Sequence, residues 1–321
     1  YRLGLHWLAL STAVRFLGSR RFWLAGDPPR RHAAGAMTTS ASALRQLLSG
    51  DRMIRAIGVH DVFSAMVAEG AGLPMLFLGG FGVSASHLGL PDLNFLTAPE
   101  MADALRRVAA RVSVPVVADG DTGHGDLHNV ANTVRLFESA GAAGMLLEDQ
   151  FAPKRCGHFG NKRVIPADEM VRKIKAALRA RVNSDFVLFA RTDARAVEGL
   201  DEAIARMRRY CEAGADVAFV EAPLTELELA RLPQELPKPA MANMLTGGLT
   251  PILPAGQLEK MGFRIGVAPV ETLMVCAGAL RQLCDTWMGQ GRVDDLAGKA
   301  CSLGELKQLL RLGEWDSLAA E

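Results

Sequence analysis

Short apolar runs without polar alternation recur along the chain at 54–59, 75–78, 114–118, 144–147, 186–190, 217–220, 240–242 and 265–268. They are too short for helices and rich in Val, Leu and Ile, the pattern of strands buried on both faces. Between them lie amphipathic stretches with helical spacing, clearest at 98–111, 127–140, 167–181 and 200–213. Ala140-Gly141-Ala142 and Ala213-Gly214-Ala215-Asp216 each read as a helix C-cap turning into the next strand. Eight strand-then-helix units in about 240 residues predict a (β/α)₈ barrel, with a doubly wound open sheet as the alternative. Residues 271–312 add helices beyond the eighth unit, expected to pack on a neighbouring subunit.

Composition fits this picture. The 321 residues are 49% hydrophobic and 22% charged, which excludes a disordered, collagen-like or coiled-coil chain. The net charge is +1, but residues 1–36 hold six arginines against only Asp27, a balance of +5 that leaves the remainder at −4. A mildly acidic body argues for a small-molecule substrate and against nucleic acid. Residues 1–36 read as an N-terminal extension or a transit-like presequence without expected order, and residues 37–321 as one barrel domain with C-terminal helices. Five scattered cysteines do not form a disulfide framework, so a reduced interior is expected. The expected location is cytoplasmic, or mitochondrial if the first 36 residues are a transit peptide. No apolar run reaches the roughly 18 residues of a membrane span.

Barrel enzymes place their chemistry at the carboxyl ends of the strands, and here nearly every strand ends in a charged or amide side chain. Strand two leads into Gly79-Gly80 and a loop to Asp92, and strand three into Asp119-Gly120-Asp121-Thr122-Gly123. Strand four delivers Glu148, strand five Arg191, strand six Glu221 and strand seven Asn243. Asp119 and Asp121 stand two apart, so on a strand both point to one face. With Glu148 and Asp92 they make four converging carboxylates, a hard oxygen donor set suited to Mg²⁺, with Mn²⁺ as a substitute. An EF-hand is excluded, because the twelfth position counted from Asp119 is Val130. Cys156, flanked by Lys154, Arg155 and His158, is expected to have a depressed pKa and to serve as a proton donor or nucleophile. Arg191, ending an apolar strand, needs a counter-charge from a substrate carboxylate, Glu221 or Glu148. Gly79 and Gly80 either offer backbone N–H groups to a carboxylate or simply turn the chain.

These residues resemble the isocitrate lyase/phosphoenolpyruvate mutase superfamily, and most closely its short lyase branch, the 2-methylisocitrate and 2,3-dimethylmalate lyases. The likeness runs through LGLPD at 88–92, DGDTGHG at 119–125, LEDQ at 147–150, KRCGH at 154–158, ARTDA at 190–194, VEAP at 220–223 and ANM at 242–244. It implies a modified barrel that exchanges its last helix between subunits, usually as a homotetramer. It further implies a direct metal-ligand role for Asp121, with Asp92, Asp119 and Glu148 holding the ion or its waters. By the same likeness Cys156 would be the general acid, and Arg191, Gly157, His158, Asn243, Gly79 and Gly80 would bind substrate oxygens. The implied reaction is reversible carbon–carbon cleavage of a 2-hydroxy acid. Oxaloacetate hydrolysis, phosphonate rearrangement and non-catalytic metabolite binding are the alternatives. Two departures matter. Gly79 stands where the methylisocitrate lyases have Ser, and Met274 where they have Arg. The second removes a charge partner for a third carboxylate and favours a substituted malate or another diacid.

Overall fold

The computed structural model describes residues 39–155, 157, 162–294 and 300–320. The eight apolar runs form strands β1 (Ile54–Val59), β2 (Met75–Leu78), β3 (Val116–Asp119), β4 (Gly144–Glu148), β5 (Val187–Thr192), β6 (Val217–Val220), β7 (Ala240–Asn243) and β8 (Ile265–Ala268). Each pairs in parallel with the next, and β8 closes on β1. The barrel is therefore the observed fold, and the open sheet is excluded.

The strand limits differ from the apolar runs in an instructive way. Strand β3 starts after Pro115, which has no N–H to give the ladder. Strands β3, β4, β5 and β7 continue past their last apolar residue to include Asp119, Glu148, Arg191 and Asn243. Backbone pairing carries on because neighbouring strands bring their own polar ends to the same level; Glu148 and Arg191 are direct register partners.

The helices are α1 (Ser40–Ser49), α2 (Val62–Gly70), α3 (Gly80–Val83), α4 (Ala98–Ala109), α5 (Leu127–Ser139), α6 (Ala167–Ala180), α7 (Leu200–Glu212), α8 (Glu226–Glu235), α9 (Ala255–Met261), α10 (Glu271–Gln290), α11 (Leu303–Leu309) and α12 (Leu312–Ala319). Local chemistry sets their ends. Thr97 and Glu100 form a reciprocal capping box at the start of α4, and Asp61 and Ser64 do the same for α2. Gly141 (φ 96°) and Gly214 (φ 113°) turn the chain after α5 and α7, in a conformation that L side chains rarely adopt. The pattern gave no sign of α3 or of the π-helical turn at Ser84–Leu88 that continues it.

Two apolar layers hold the barrel together. One fills its interior, with Met75, Phe77, Leu146, Phe189 and Ile265 among its members and Leu44 of α1 packed into it. The other lies between strands and outer helices, where Phe137, Leu147, Met170 and Tyr210 are fully buried. At α10 the wrapping stops. This 20-residue helix has no buried residue, and Val275, Leu280, Trp287 and Met288 are exposed. Among the described residues no helix is long and apolar enough to cross a membrane.

Candidate active site

The polar strand ends gather at the carboxyl mouth of the barrel around a cavity of about 300 Å³. Its floor is apolar, formed by Phe77, Leu146, Phe219, Met241 and Val267. Charged and amide groups line it as well: Asp92, Asp119, Glu148, Lys154, Arg155, Arg191, Glu221 and Asn243. Leu245, Pro269, Val270 and Met274 bring apolar surface to the same cavity.

Asp119 closes β3 and accepts the Gly80 N–H at Oδ2 (3.0 Å) and the Asp121 N–H at Oδ1 (3.1 Å). Asp121 reaches the mouth by a different route from strand alternation. Its φ is 47°, so a left-handed turn, and not a continuing strand, swings its carboxylate back beside Asp119. Gly120 permits that turn, since a Cβ there would lie 2.6 Å from the Leu146 carbonyl oxygen. Lys173 of α6 braces the turn from behind by donating to the Thr122 carbonyl (2.9 Å). Asp92 is placed by the π-helical turn, where the Ser84 hydroxyl donates to the carbonyls of Leu90 (3.0 Å) and Pro91 (3.3 Å).

Lys154 is not a solvated loop cation. Its Nζ is buried among the carboxylates, 2.6 Å from Asp92 Oδ1 and 2.8 Å from Asp121 Oδ1. Burial opposes its charge, but Asp121, Asp119, Asp92 and Glu148 together hold its pKa well above the ordinary lysine range. Burial also pushes the Asp121 carboxyl up to about 7, against the pull of Lys154. Glu148 is raised well above the usual carboxylate range for the same reason, with Arg191 opposing.

Arg191 pairs with both expected partners, Glu148 (3.3 Å) and Glu221 (3.2 Å), and also with Asp193, which takes Nε and Nη2 at 2.9 and 3.1 Å. Burial raises the Asp193 carboxyl, but Arg191 and Lys162 outweigh it and hold it at about 2. Asn243 reaches Glu221 through Nδ2 (3.4 Å) and turns a buried Oδ1 that has no hydrogen-bond partner. Behind this group Asp149, fully buried, accepts from Thr192 Oγ1 (2.7 Å), Tyr210 OH (2.8 Å) and the Asp193 N–H (2.9 Å), fixing the end of β5.

The two glycines after β2 have separate roles. Gly79 lines the cavity, whereas the Gly80 N–H is committed to Asp119 and is not offered to a ligand. Gly157 packs against Arg191 and Glu221, and a Cβ there would fall 2.3 Å from Arg191 Nη2. Cys156 and His158 lie outside the described residues. The sequence reading missed Lys162, which bridges Gly157 and Asp193; only the need of a buried Asp193 for a second cation could have pointed to it.

Among the described residues no three His, Cys, Asp or Glu side chains stand as a ready-made coordination cluster. The donor chemistry nevertheless suits a hard cation. Among the described residues Lys154, Lys162 and Arg191 ion-pair with five carboxylates, those of Asp92, Asp121, Glu148, Asp193 and Glu221, Asp119 adds a sixth beside them, and Arg155 lines the cavity from an exposed position. Glu148 Oε1 is buried with no hydrogen-bond partner. An excess of buried negative charge with an orphaned oxygen is what a divalent ion would relieve.

Comparison with known proteins places this geometry. The sequence profile described as phosphoenolpyruvate phosphomutase matches residues 44–287. The chain is 43% identical to the 2,3-dimethylmalate lyase of Eubacterium barkeri, covering 81% of this chain and 89% of that one. It is 42% identical to the chloroplastic carboxyvinyl-carboxyphosphonate phosphorylmutase of Arabidopsis thaliana, over 82% and 79% of the two chains. A solved oxaloacetate acetylhydrolase, in complex with 3,3-difluorooxalacetate, superposes with a TM-score of 0.83 at 34% identity, covering 87% of this chain and 96% of that one. With the matched profile spanning every strand and every carboxylate of the mouth, the chain belongs to the phosphoenolpyruvate phosphomutase/isocitrate lyase superfamily.

Proposed function

We propose that the protein is a Mg²⁺-dependent carbon–carbon lyase that cleaves a 2-hydroxy di- or tricarboxylic acid to a 2-oxo acid and a second carboxylic acid. The observation that carries this reading is the buried mouth of the barrel, where surplus carboxylates and Arg191 meet beside Gly157 of the KRCGH segment. Asp121, with Asp92, Asp119 and Glu148, would hold the ion, which when bound supplies Lewis-acid polarisation of substrate oxygens.

The protein's own groups do the rest. Asp193 and Glu221 fix the plane of Arg191, and those contacts leave N–H groups at Nη1 and Nη2 for a substrate carboxylate. The apolar floor excludes water, which strengthens each of these interactions. As the C2–C3 bond breaks, the hydroxyl proton would pass to one of the buried carboxylates of the mouth, and the electron pair of the broken bond falls on the carbon beside the second carboxylate. Arg191 stabilises the charge that develops there, and the Cys156 thiol gives its proton to that carbon.

A second reading, oxaloacetate hydrolysis or phosphonate rearrangement, draws support from the similarity to the acetylhydrolase and to the phosphorylmutase. The cysteine in KRCGH, which by the family resemblance the mutase branch lacks, favours the lyase over phosphonate rearrangement, and product analysis separates it from oxaloacetate hydrolysis.

Within the lyases, Met274 favours a dicarboxylate. The cavity wall formed by Leu245, Val270 and Met274 carries no cation for a third carboxylate and suits an alkyl substituent. A lost charge-assisted pair is worth about 1.5–3 kcal/mol, or roughly 10- to 150-fold. A 2,3-dialkylmalate is therefore expected to exceed 2-methylisocitrate in kcat/KM by at least about tenfold, measured as 2-oxo acid release. A preference for 2-methylisocitrate would contradict the assignment of Met274. We also propose that α10 is exchanged between subunits of a homotetramer, since none of its residues is buried and its Leu280, Leu283 and Trp287 are exposed. Sedimentation equilibrium at a single chain mass would contradict this.

A further inference from the structure

The apolar wall of the cavity comes from two separate stretches of chain. Leu245 to Gly248 follow β7 and are closed into a turn by the Gly248 N–H, which donates to the Leu245 carbonyl (3.0 Å). Pro269, Val270 and Met274 belong to the junction between β8 and α10. That junction is fixed to the barrel. The Thr272 hydroxyl donates to the Gly58 carbonyl of β1 (2.6 Å), and a Cβ at Gly58 would fall 1.7 Å from the Pro269 carbonyl oxygen. Met274 hangs from this root through its N–H, which donates to the Val270 carbonyl (3.0 Å). Glu271 joins the two stretches. Its Oε1 accepts the Thr246 N–H (2.7 Å) and its Oε2 the Val270 N–H (3.1 Å). One carboxylate thus takes a backbone donor from each half of the wall without lining the cavity itself.

We propose that Glu271 is a positioning residue: it holds the 245–248 turn on the root of α10, so that Leu245, Val270 and Met274 present one preset apolar surface to an alkyl substituent of the substrate. The inference rests on the lyase reading for the identity of the substrate, and deepens it by naming what sets the preference among diacids. A carboxylate suits the task because its two oxygens accept two N–H groups at once, and such bonds are stronger than those between neutral groups. Glutamine keeps one acceptor oxygen but turns an NH₂ group toward the other N–H. Alanine accepts neither. An acid in the first turn of a helix also favours the helix dipole, but that role alone would change stability and leave substrate preference untouched.

The test compares the full chain with Glu271→Ala and Glu271→Gln in two measurements with Mg²⁺ present. In the first, kcat and KM are determined for a 2,3-dialkylmalate and for unsubstituted malate. One methylene in an apolar pocket is worth about 10- to 200-fold in specificity, so Glu271→Ala is expected to lose at least about fivefold of the wild-type preference for the dialkyl acid. The loss is expected in KM for the dialkyl acid, with kcat on malate within about twofold of wild type. Glu271→Gln is expected to fall between alanine and wild type. In the second, amide hydrogen exchange is followed by mass spectrometry. The peptide that contains Thr246 is expected to exchange at least about tenfold faster in Glu271→Ala, with β4 unchanged. The proposal requires both changes, and either one without the other would overturn it. So would faster exchange in β4 in step with the turn, which marks Glu271 as a general support of the fold. If the wild-type chain turns over neither acid, the lyase reading fails. The ratio of affinities for a 2-alkylmalonate and malonate, measured by calorimetry, then replaces the kinetic preference, with the same loss of about fivefold required.

Discussion

Replacing Cys156 with serine is expected to lower kcat by about 10²- to 10⁴-fold, the usual contribution of a positioned general acid. A serine hydroxyl is nearly isosteric with the thiol but far less acidic, so it cannot protonate a developing carbanion at a comparable rate. Affinity for Mg²⁺ and for an unreactive diacid such as malonate should stay within about threefold of wild type, because the loss falls on the transition state alone. The sequence credits Lys154, Arg155 and His158 with depressing the thiol's pKa. Of these, Lys154 is ion-paired with Asp92 and Asp121. The cations beside the neighbouring Gly157 are Arg191 and Lys162. Turnover by release of 2-oxo acid and binding by calorimetry separate the two effects. Wild-type kcat in Cys156→Ser would remove the cysteine from the mechanism.

The second large effect is expected at Lys154. Its ammonium is 3% exposed and neutralises Asp92 and Asp121. Removing one partner of a buried ion pair costs about 3–5 kcal/mol, so Lys154→Met in the absence of divalent cations should lower Tm on the order of 10 °C. The deficit should be smallest at acidic pH. Asp121, raised to about 7 by burial, binds a proton more readily folded than unfolded, so protonation favours the native state. Lys154 pulls that carboxyl down, so in Lys154→Met the proton is lost only above about 7, and the repulsion among the carboxylates is fully expressed at still higher pH. Mg²⁺ should then raise Tm more in the variant than in wild type, because the ion takes up charge that Lys154 no longer balances. Thermal melts with and without Mg²⁺ decide the matter without any assay of turnover. An equal Mg²⁺ response in both proteins would mean that these carboxylates do not hold the cation.

The barrel was legible because each strand is an apolar run bounded by turn chemistry, as at Ala140-Gly141, and the period of the pattern does not depend on distant residues. The set of carboxylates was legible for a related reason: a charged residue at the end of an apolar strand needs a partner or a function, and in this fold the strand ends share one mouth. What the pattern could not supply was geometry that depends on the turn. Asp121 arrives by a positive φ and not by alternation, and Gly80 gives its N–H to Asp119. Lys154 and Lys162 lie in a segment dense in Lys, Arg and Gly, where nothing local distinguishes a solvated cation from one buried against acids far along the chain. Residues 271–290 looked like surplus because they follow the eighth strand, and among the described residues nothing buries any side chain of α10.

The central claim is metal-dependent carbon–carbon cleavage, and the direct measurement is release of pyruvate and glyoxylate from substituted malates, 2-methylisocitrate and isocitrate, with Mg²⁺ and then with a chelator. The account predicts pyruvate from a substituted malate that chelator abolishes and added Mg²⁺ restores. No 2-oxo acid from any hydroxy acid, together with oxalate and acetate from oxaloacetate, would contradict it and identify a hydrolase.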